Sequence, residues 1–154
     1  MEEVIRPAKK EDIPGLKDVI DSSDLFPSTM LDAMIADYIN NPDSEDIWFT
    51  ATINNTPIAL GYCAPEKLTD GTYNLYAIAI QQGLQGKGVG KKMMTYLEDY
   101  LRSLSKRVLI VETSGDPDFE STRQFYLSLN YTEEAVIRDF WAEGEDKVIF
   151  WKKL

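Results

Sequence analysis

Residues 73–104 read YNLYAIAIQQGLQGKGVGKKMMTYLEDYLRSL, so that a strand pattern, a glycine-rich loop and a helix pattern follow one another without interruption. Tyr73 to Ile80 is almost continuously apolar, as in a central strand covered on both faces. The loop runs from Gly83 to Gly90. The stripe of a long helix follows, formed by Val89, Met93, Leu97, Tyr100, Leu101 and Leu104. Because the first N–H groups of a helix have no partner within it, this junction is suited to bind a phosphate.

Two helices and two strands are predicted before this unit. The first helix covers Lys10 to Ile20, with Pro14 in its first turn, where proline is tolerated. The second carries apolar residues from Leu31 to Ile39, with Ser28 or Thr29 as its N-cap and Asn40-Asn41-Pro42 as its stop. The strands are Trp48 to Ile53 and Ile58 to Ala64, joined at a turn over residues 54–57.

A similar alternation follows the long helix. Another buried strand is predicted from Val108 to Thr113. A shorter helix that ends at Asn130 is predicted next, with one face formed by Phe119, Thr122, Tyr126 and Leu129. Two further strands are expected near Ala135 to Ile137 and Lys147 to Lys152. With 154 residues and no linker or repeat, the chain is expected to form one domain, residues 1–154, of mixed α/β class with a mixed sheet.

The net charge and the hydropathy of the chain restrict the kinds of binding partner that can be expected. The chain has 16 Lys and Arg against 26 Asp and Glu, a net charge of −10, which opposes binding to nucleic acid or to an anionic membrane and favours a cationic partner. Its longest apolar run, Leu75 to Ile80, is far too short to span a membrane. The start at Met1-Glu2-Glu3 does not resemble an export signal. A cytoplasmic protein is therefore expected.

The chain contains no histidine and one cysteine. Ser-His-Asp and Cys-His chemistry is excluded, and no metal site is expected. Proton transfer must use carboxylates, tyrosine, lysine or water. Cys63 lies in an apolar stretch and is expected to be a buried hydrophobic residue and not a nucleophile.

The glycine-rich loop fits neither of two common phosphate-binding motifs. A Walker loop requires Ser or Thr after Gly-Lys, but Lys87 is followed by Gly88. A dinucleotide fingerprint that starts at Gly86 would need glycine at position 91, which is Lys91. Glycines that only permit close helix–strand packing are the structural alternative.

The remaining pattern is Gln-x-x-Gly-x-Gly, at Gln85, Gly88 and Gly90, and a second segment, Phe125 to Tyr131, follows about 40 residues later. Together they resemble the GNAT superfamily of acetyl-CoA-dependent N-acyltransferases, whose pyrophosphate loop and Phe-Tyr-x-x-x-Gly-Phe segment have this order. The resemblance implies a mixed sheet of about six to seven strands flanked by about four helices. It also implies acetyl-CoA as co-substrate, an amine acceptor and a possible homodimer.

The resemblance assigns coenzyme-binding roles. The backbone of Ile78, Ala79 and Ile80 would pair with the pantetheine arm where the sheet splays. The loop N–H groups would hold the pyrophosphate, and Phe125 lies in the second segment. Three cations could meet the charge of the phosphates: Lys87, Lys91 and Arg123. Solvated surface charge is an equally open interpretation of these side chains. The loop residues concerned are Gln85, Gly86, Lys87, Gly88, Val89 and Gly90.

The resemblance also suggests an acid and leaves the base open. Tyr126 occupies the position of the acid that protonates the leaving thiolate, although a tyrosine on an apolar helix face is often only core packing. Some members carry a glutamate where this chain has Asn74. Glu112, at the end of the next strand, is the candidate base, directly or through water, and a purely structural carboxylate is the alternative.

Acceptor selectivity is expected from the first two helices and the late hairpin. These regions offer apolar walls and nearby carboxylates, which suits an amine with an apolar part. The expected activity is direct transfer of an acetyl group, within a ternary complex, to a primary amine of a small molecule or peptide. A non-catalytic acyl-CoA or metabolite sensor is the alternative, favoured by Asn74, and a protein-interaction module is a weaker one. The expected wall and charge residues are Leu25, Phe26, Tyr38, Phe140 and Trp141, with Asp24, Asp32 and Glu143.

Overall fold

A computed structural model describes residues 2–154, and within that range the chain forms a seven-stranded sheet and four α-helices. This confirms the predicted mixed α/β class and the numbers of strands and helices. In chain order the elements are β1 (Glu3–Pro7), α1 (Ile13–Ser23), α2 (Leu31–Asn40), β2 (Ile47–Ile53), β3 (Thr56–Pro65), β4 (Thr72–Ile80), α3 (Val89–Ser103), β5 (Val108–Ser114), α4 (Glu120–Ser128), β6 (Thr132–Ala142) and β7 (Glu145–Lys153).

The sheet opens between its two central strands. Its order is β1-β2-β3-β4-β5-β7-β6, and β4 and β5 are its parallel pair. They pair only from Thr72–Val108 to Leu75–Val111, after which β4 continues beside β3 and β5 continues beside β7. The second half of β4, which includes Ile78 to Ile80, therefore has no strand neighbour on its β5 side.

Helices cover both faces of the sheet. On one face, α3 buries Met93, Leu97 and Leu101 in a core that also contains Tyr126 of α4 and Phe150 of β7. On the other face, α1 and α2 pack with Trp48 and Leu60 of β2 and β3 in a second core. Because apolar side chains cover both faces, the central strands are fixed in place and hold the opening between β4 and β5.

Several predicted boundaries are corrected by the structure. The first helix begins at Ile13, since Lys10–Asp12 forms a separate 3-10 turn. Ser28 and Thr29 do not cap α2; they lie in a second 3-10 turn, and Met30 precedes the helix without a side-chain cap. Strand β1 was not predicted, because five residues with two exposed positions give too weak an alternation.

Other sequence expectations are confirmed or adjusted. Asn130 has a φ of +70° directly after the end of α4, as a C-terminal cap requires. Cys63 is fully buried, and burial raises the pKa of its thiol. Tyr100 and Leu104, expected on the buried stripe of α3, are 40% and 44% exposed, whereas Leu101 in the same turn is fully buried. No helix in residues 2–154 combines the length and the apolar character needed to cross a membrane.

Asp12 joins β1 to the start of α1. Its carboxylate accepts hydrogen bonds from Arg6 Nη1 and Nη2 at 2.7 and 2.9 Å and from the Lys9 N–H at 2.7 Å. The hydrogen bonds from Arg6 hold the pKa of the Asp12 carboxyl below its ordinary value of 3.8, against the opposing effect of burial. The ionised form therefore stabilises the folded state.

Replacing Asp12 with asparagine is expected to lower the free energy of unfolding by about 1–3 kcal/mol at pH 7, because the partly buried Arg6 loses its charged partner. A depressed folded-state pKa gives stability that is present above the unfolded pKa and is lost as pH falls through the folded one. The difference in unfolding free energy between variant and wild type should thus shrink below pH 3.8. Urea unfolding between pH 2.5 and 7 measures this difference.

The control is Asp99→Asn, since Asp99 pairs with Arg102 in solvent. An equal loss of stability in this control would contradict the stabilising role assigned to Asp12.

Candidate active site

A cleft of about 830 Å³ occupies the opening between β4 and β5. Its floor is the second half of β4, from Leu75 to Ile80, and the end of β5, from Val111 to Ser114. The glycine-rich loop and the start of α3 close one end, and α4 forms a side wall with Phe125 and Tyr126. A channel of this size, between the ends of two parallel strands, is the usual location for a ligand in an α/β sheet.

The glycine-rich loop has a backbone conformation that favours glycine. Gly86 and Gly88 have φ values of +74° and +85°, and a Cβ added to either would meet no atom within 4 Å. Gly88 immediately precedes α3, so the unpaired N–H groups of the first helical turn begin there. A Cβ at Gly90 would lie 3.2 Å from both Ile80 Cδ1 and Phe125 Cζ, so glycine lets the helix approach the strand.

The structure brings most of the expected coenzyme-binding residues together. Gln85 donates from Nε2 to the Ile80 carbonyl at 3.2 Å, which ties the loop to the end of β4. The expected residues that line the cleft are Ile78, Ala79, Ile80, Gln85, Gly86, Gly88, Gly90, Lys91 and Phe125.

Two of the expected cations lie off the cleft, and Val89 offers a ligand only the backbone that was expected to bind it. Val89 points into the core and is 5% exposed, so that only its backbone is available to a ligand. Lys87 is exposed and does not line the cleft. Arg123 also lies off the cleft: Nη1 donates to the carbonyls of Ser114 and Asp116 at 2.7 and 2.9 Å, and Nη2 pairs with Glu120 at 2.7 Å. These contacts give Arg123 a role in joining α4 to the end of β5.

Tyr126 lies in the wall of the cleft and is only 3% exposed. Its ring packs against Phe125, Tyr131 and Phe150, with centroid separations of 5.2, 5.7 and 5.6 Å. Burial raises the pKa of the Tyr126 phenol above its ordinary value of 10, so the hydroxyl keeps its proton at neutral pH. The residue is therefore held rigidly as a hydrogen-bond donor.

Glu112 also lines the cleft, but its charge is already paired. Lys147 Nζ lies 2.7 Å from Glu112 Oε2, and both side chains are largely buried. The same ammonium group lies over the Phe140 ring, 3.8 Å from its centroid. A proton accepted by Glu112 would leave the Lys147 charge without its partner, which argues against the expected role of Glu112 as the base.

The lining of the cleft partly matches the expected acceptor site. Leu25 and Trp141 line it as expected, and Trp141 Nε1 donates to the Thr113 carbonyl at 3.3 Å. Phe26 and Tyr38 instead pack in the core beneath α1 and α2. Glu145 also lines the cleft, held by Ser114 Oγ at 2.7 Å, and was not predicted because β7 brings it there from distant sequence.

A second group that was not predicted consists of Glu66, Asn74 and Tyr76. Tyr76 lines the cleft, and its hydroxyl donates to Glu66 Oε1 at 2.9 Å. Asn74 Nδ2 donates to the same oxygen at 2.7 Å. The pairing of β3 with β4 shifts here, from Tyr62–Ala77 to Cys63–Leu75, which makes Tyr76 the extra residue of a bulge. The bulge explains why the regular strand pattern did not reveal it.

Comparison of the sequence with models of known protein families identifies the family of the chain. The model of the acetyltransferase (GNAT) family matches residues 16–131, which include the glycine-rich loop, α4 and most of the residues that line the cleft. The chain belongs to the GNAT family. This confirms the resemblance drawn from Gln85, Gly88, Gly90 and the segment from Phe125 to Tyr131, and it makes acetyl transfer the general activity of the group to which the chain belongs.

Solved structures agree on the fold. A protein from Desulfovibrio desulfuricans assigned to the GNAT family has a TM-score of 0.91 at 24% identity, over 99% of both chains. A ribosomal-protein alanine N-acetyltransferase from Escherichia coli has a TM-score of 0.80 at 18% identity, over 99% of this chain and 94% of that one. An aminoglycoside 6'-N-acetyltransferase complexed with coenzyme A has a TM-score of 0.73 at 12% identity, over 97% and 96%. No curated protein sequence matches this GNAT chain.

Proposed function

We propose that this protein transfers the acetyl group of acetyl-CoA directly to a primary amine of a small molecule or peptide within a ternary complex. The observation that carries the proposal is one cleft with a glycine-rich helix start at one end, a stretch of β4 without a neighbour on its β5 side along the floor, and Tyr126 in the wall. The family match supports the reaction type.

The cleft suits coenzyme A along its whole length. The N–H groups at the start of α3 and in the loop would hold the pyrophosphate, since glycine leaves them accessible and the helix dipole favours an anion. Lys91 lines the same end and supplies a positive charge. The unpaired edge of β4, from Ile78 to Ile80, offers N–H and C=O groups to the amide-containing pantetheine arm, which would take the place of the absent strand neighbour.

The chemistry requires three proton movements. The acceptor ammonium loses one proton, and the freed nitrogen attacks the thioester carbonyl; a C–N bond forms, the nitrogen loses a second proton to water, and the C–S bond breaks, leaving a thiolate. Tyr126 would donate a hydrogen bond and then a proton to that sulfur and would regain a proton from water. Because burial keeps the phenol neutral, Tyr126 is in the donor form throughout the physiological pH range.

The acceptor end favours a cationic amine with an apolar part. Leu25 and Trp141 supply apolar wall, and Glu112 and Glu145 add carboxylates. We propose that Glu145, whose carboxylate accepts a hydrogen bond from Ser114, helps to draw the acceptor ammonium into the cleft. Structural relatives named for a ribosomal-protein alanine and for an aminoglycoside support testing both peptides and small amines.

A non-catalytic coenzyme-binding sensor is the second candidate, favoured by Asn74 at a position where some family members have glutamate. The two are separated by measuring free thiol released from acetyl-CoA with phenethylamine, putrescine, an aminoglycoside and a peptide with a free N-terminal alanine. Amine-dependent thiol release supports the enzyme. Coenzyme binding by calorimetry without thiol release in any arm would contradict the enzyme and support the sensor.

We also propose that residues 1–154 form one acetyltransferase domain, since the family match covers 16–131 and the two edge strands of the sheet extend it on both sides. The expected homodimer and the cytoplasmic location stay predictions. Light scattering of the purified protein tests whether it is a dimer.

A further inference from the structure

The base in the proposed reaction is unassigned, because Asn74 cannot accept a proton as a carboxylate would and Glu112 is paired with Lys147. A base must reach the acceptor nitrogen directly or through one intervening group. Among the described residues that line the cleft, Tyr76 is the one whose hydroxyl donates to a carboxylate outside it, Glu66.

The position of Glu66 is fixed by the turn that joins β3 to β4. Its N–H donates to the Thr72 carbonyl at 2.8 Å, and its carbonyl accepts from Thr69 Oγ1 at 2.8 Å. The Asn74 amide donates to Glu66 Oε1 at 2.7 Å, and Asn74 is 1% exposed. The Glu66 carboxylate thus lies beside Asn74 of β4, although it comes from the preceding turn.

Tyr76 links this carboxylate to the cleft. Its side chain is half exposed, its ring lies 5.5 Å from that of Tyr62, and its hydroxyl hydrogen is directed at Glu66. The hydroxyl oxygen therefore retains a lone pair that can accept a hydrogen bond from an ammonium group. Glu66 is itself partly exposed, so that a proton it receives can pass on to water.

We infer that Glu66, acting through the Tyr76 hydroxyl, removes the proton that the acceptor amine must lose. The inference rests on the proposed acetyltransferase function. As the ammonium proton passes to Tyr76 Oη, the phenolic proton passes to the Glu66 carboxylate, and the freed nitrogen lone pair attacks the thioester. Tyr76 is the catalytic residue because it touches the amine, and Glu66 acts through it. After product leaves, Glu66 returns the proton to water.

The surroundings of the pair are consistent with this role. Burial, the hydrogen bond to Glu66 and the nearby Glu112 charge raise the pKa of the Tyr76 phenol, so the hydroxyl stays protonated and relays a proton instead of ionising. The charged and titratable groups that face the pair are Glu112 from β5 with Lys147 from β7, and Tyr62 from β3 with Asp46 beyond it. Lys147 is the positive charge among them, and its partner is Glu112.

The test uses two acceptors of matched shape at pH 7. One is the amine of the panel with the fastest thiol release, and the other is its alkoxyamine analogue, in which oxygen replaces the methylene next to nitrogen; for a peptide, the matched pair carries an N-terminal β-alanyl or aminooxyacetyl group. For phenethylamine the analogue is O-benzylhydroxylamine. An alkylamine is protonated at pH 7 and needs a base, whereas the alkoxyamine is already neutral and does not.

Tyr76→Phe and Glu66→Gln are each expected to lower kcat/KM for the alkylamine by about 10²-fold and for the alkoxyamine by less than about threefold, relative to wild type. Tyr100→Phe and Glu133→Gln are matched exposed controls and should change neither rate. Coenzyme binding by calorimetry shows that each variant is folded.

Three results would overturn the inference. Equal losses with both acceptors would mean a structural role. A loss selective for the alkylamine in Glu112→Gln, with none in the two relay variants, would make Glu112 the base while leaving the proposed function intact. Absence of thiol release by the wild-type protein with every amine would remove the proposed function and the relay together.

Discussion

Replacing Tyr126 with phenylalanine is expected to slow acetyl transfer by about 10²–10⁴-fold, the usual contribution of a positioned general acid. Phenylalanine keeps the ring contacts with Phe125, Tyr131 and Phe150 and removes only the hydroxyl. The leaving sulfur would then depart as a thiolate without a donor from α4. Because the substitution leaves the loop and β4 untouched, the coenzyme dissociation constant should change by less than about twofold.

Thiol release under saturating acetyl-CoA measures the rate, and calorimetry measures the affinity. Tyr73→Phe is the matched control, since Tyr73 is also 3% exposed but lies in the core away from the cleft. An unchanged rate for Tyr126→Phe would remove this residue from the mechanism. A loss of the same size in the control would show that deleting a buried hydroxyl, and not catalysis, is responsible.

Replacing Gly88 with valine is expected to weaken coenzyme binding by about 10²-fold, which corresponds to about 2.8 kcal/mol. The residue has a φ of +85°, a conformation that a β-branched side chain adopts only with strain. Relieving that strain would rotate the peptide units that precede α3 and turn their N–H groups away from the pyrophosphate. Calorimetry with coenzyme A measures the effect.

The chain provides a control for the strain itself. Gly144, in the turn between β6 and β7, has a φ of +82° and, like Gly88, open space around its missing Cβ, but it does not line the cleft. Gly144→Val should therefore cost similar stability and leave coenzyme affinity within about twofold. Equal loss of affinity in both variants, or none in Gly88→Val, would contradict the proposed loop geometry.

The features that the sequence predicted are those set by neighbouring residues. The run from Tyr73 to Ile80, the glycines that follow and the stripe from Val89 to Leu101 are contiguous, so their strand, loop and helix could be predicted without knowledge of tertiary contacts. The segment from Phe125 to Tyr131 added the second motif. These segments led to the family, the fold and most of the cleft residues.

What the sequence could not predict depends on contacts between distant segments. Lys147 is 35 positions from Glu112, and its approach to that carboxylate follows from the pairing of β5 with β7. Arg123 looked available to a phosphate, but it bonds to carbonyls at the end of β5. Tyr76 and Glu66 meet because a bulge and a turn set their positions, and neither has a signature in the regular strand alternation.

The central claim is that the cleft between β4 and β5 binds the coenzyme with its pyrophosphate on the N–H groups at the start of α3. A crystal structure of the complex with coenzyme A tests it most directly. The account predicts pyrophosphate oxygens within hydrogen-bonding distance of backbone nitrogens between Gly86 and Lys91, and the pantetheine arm beside Ile78 to Ile80. A coenzyme bound at another surface, or those nitrogens covered by side chains in the complex, would contradict it.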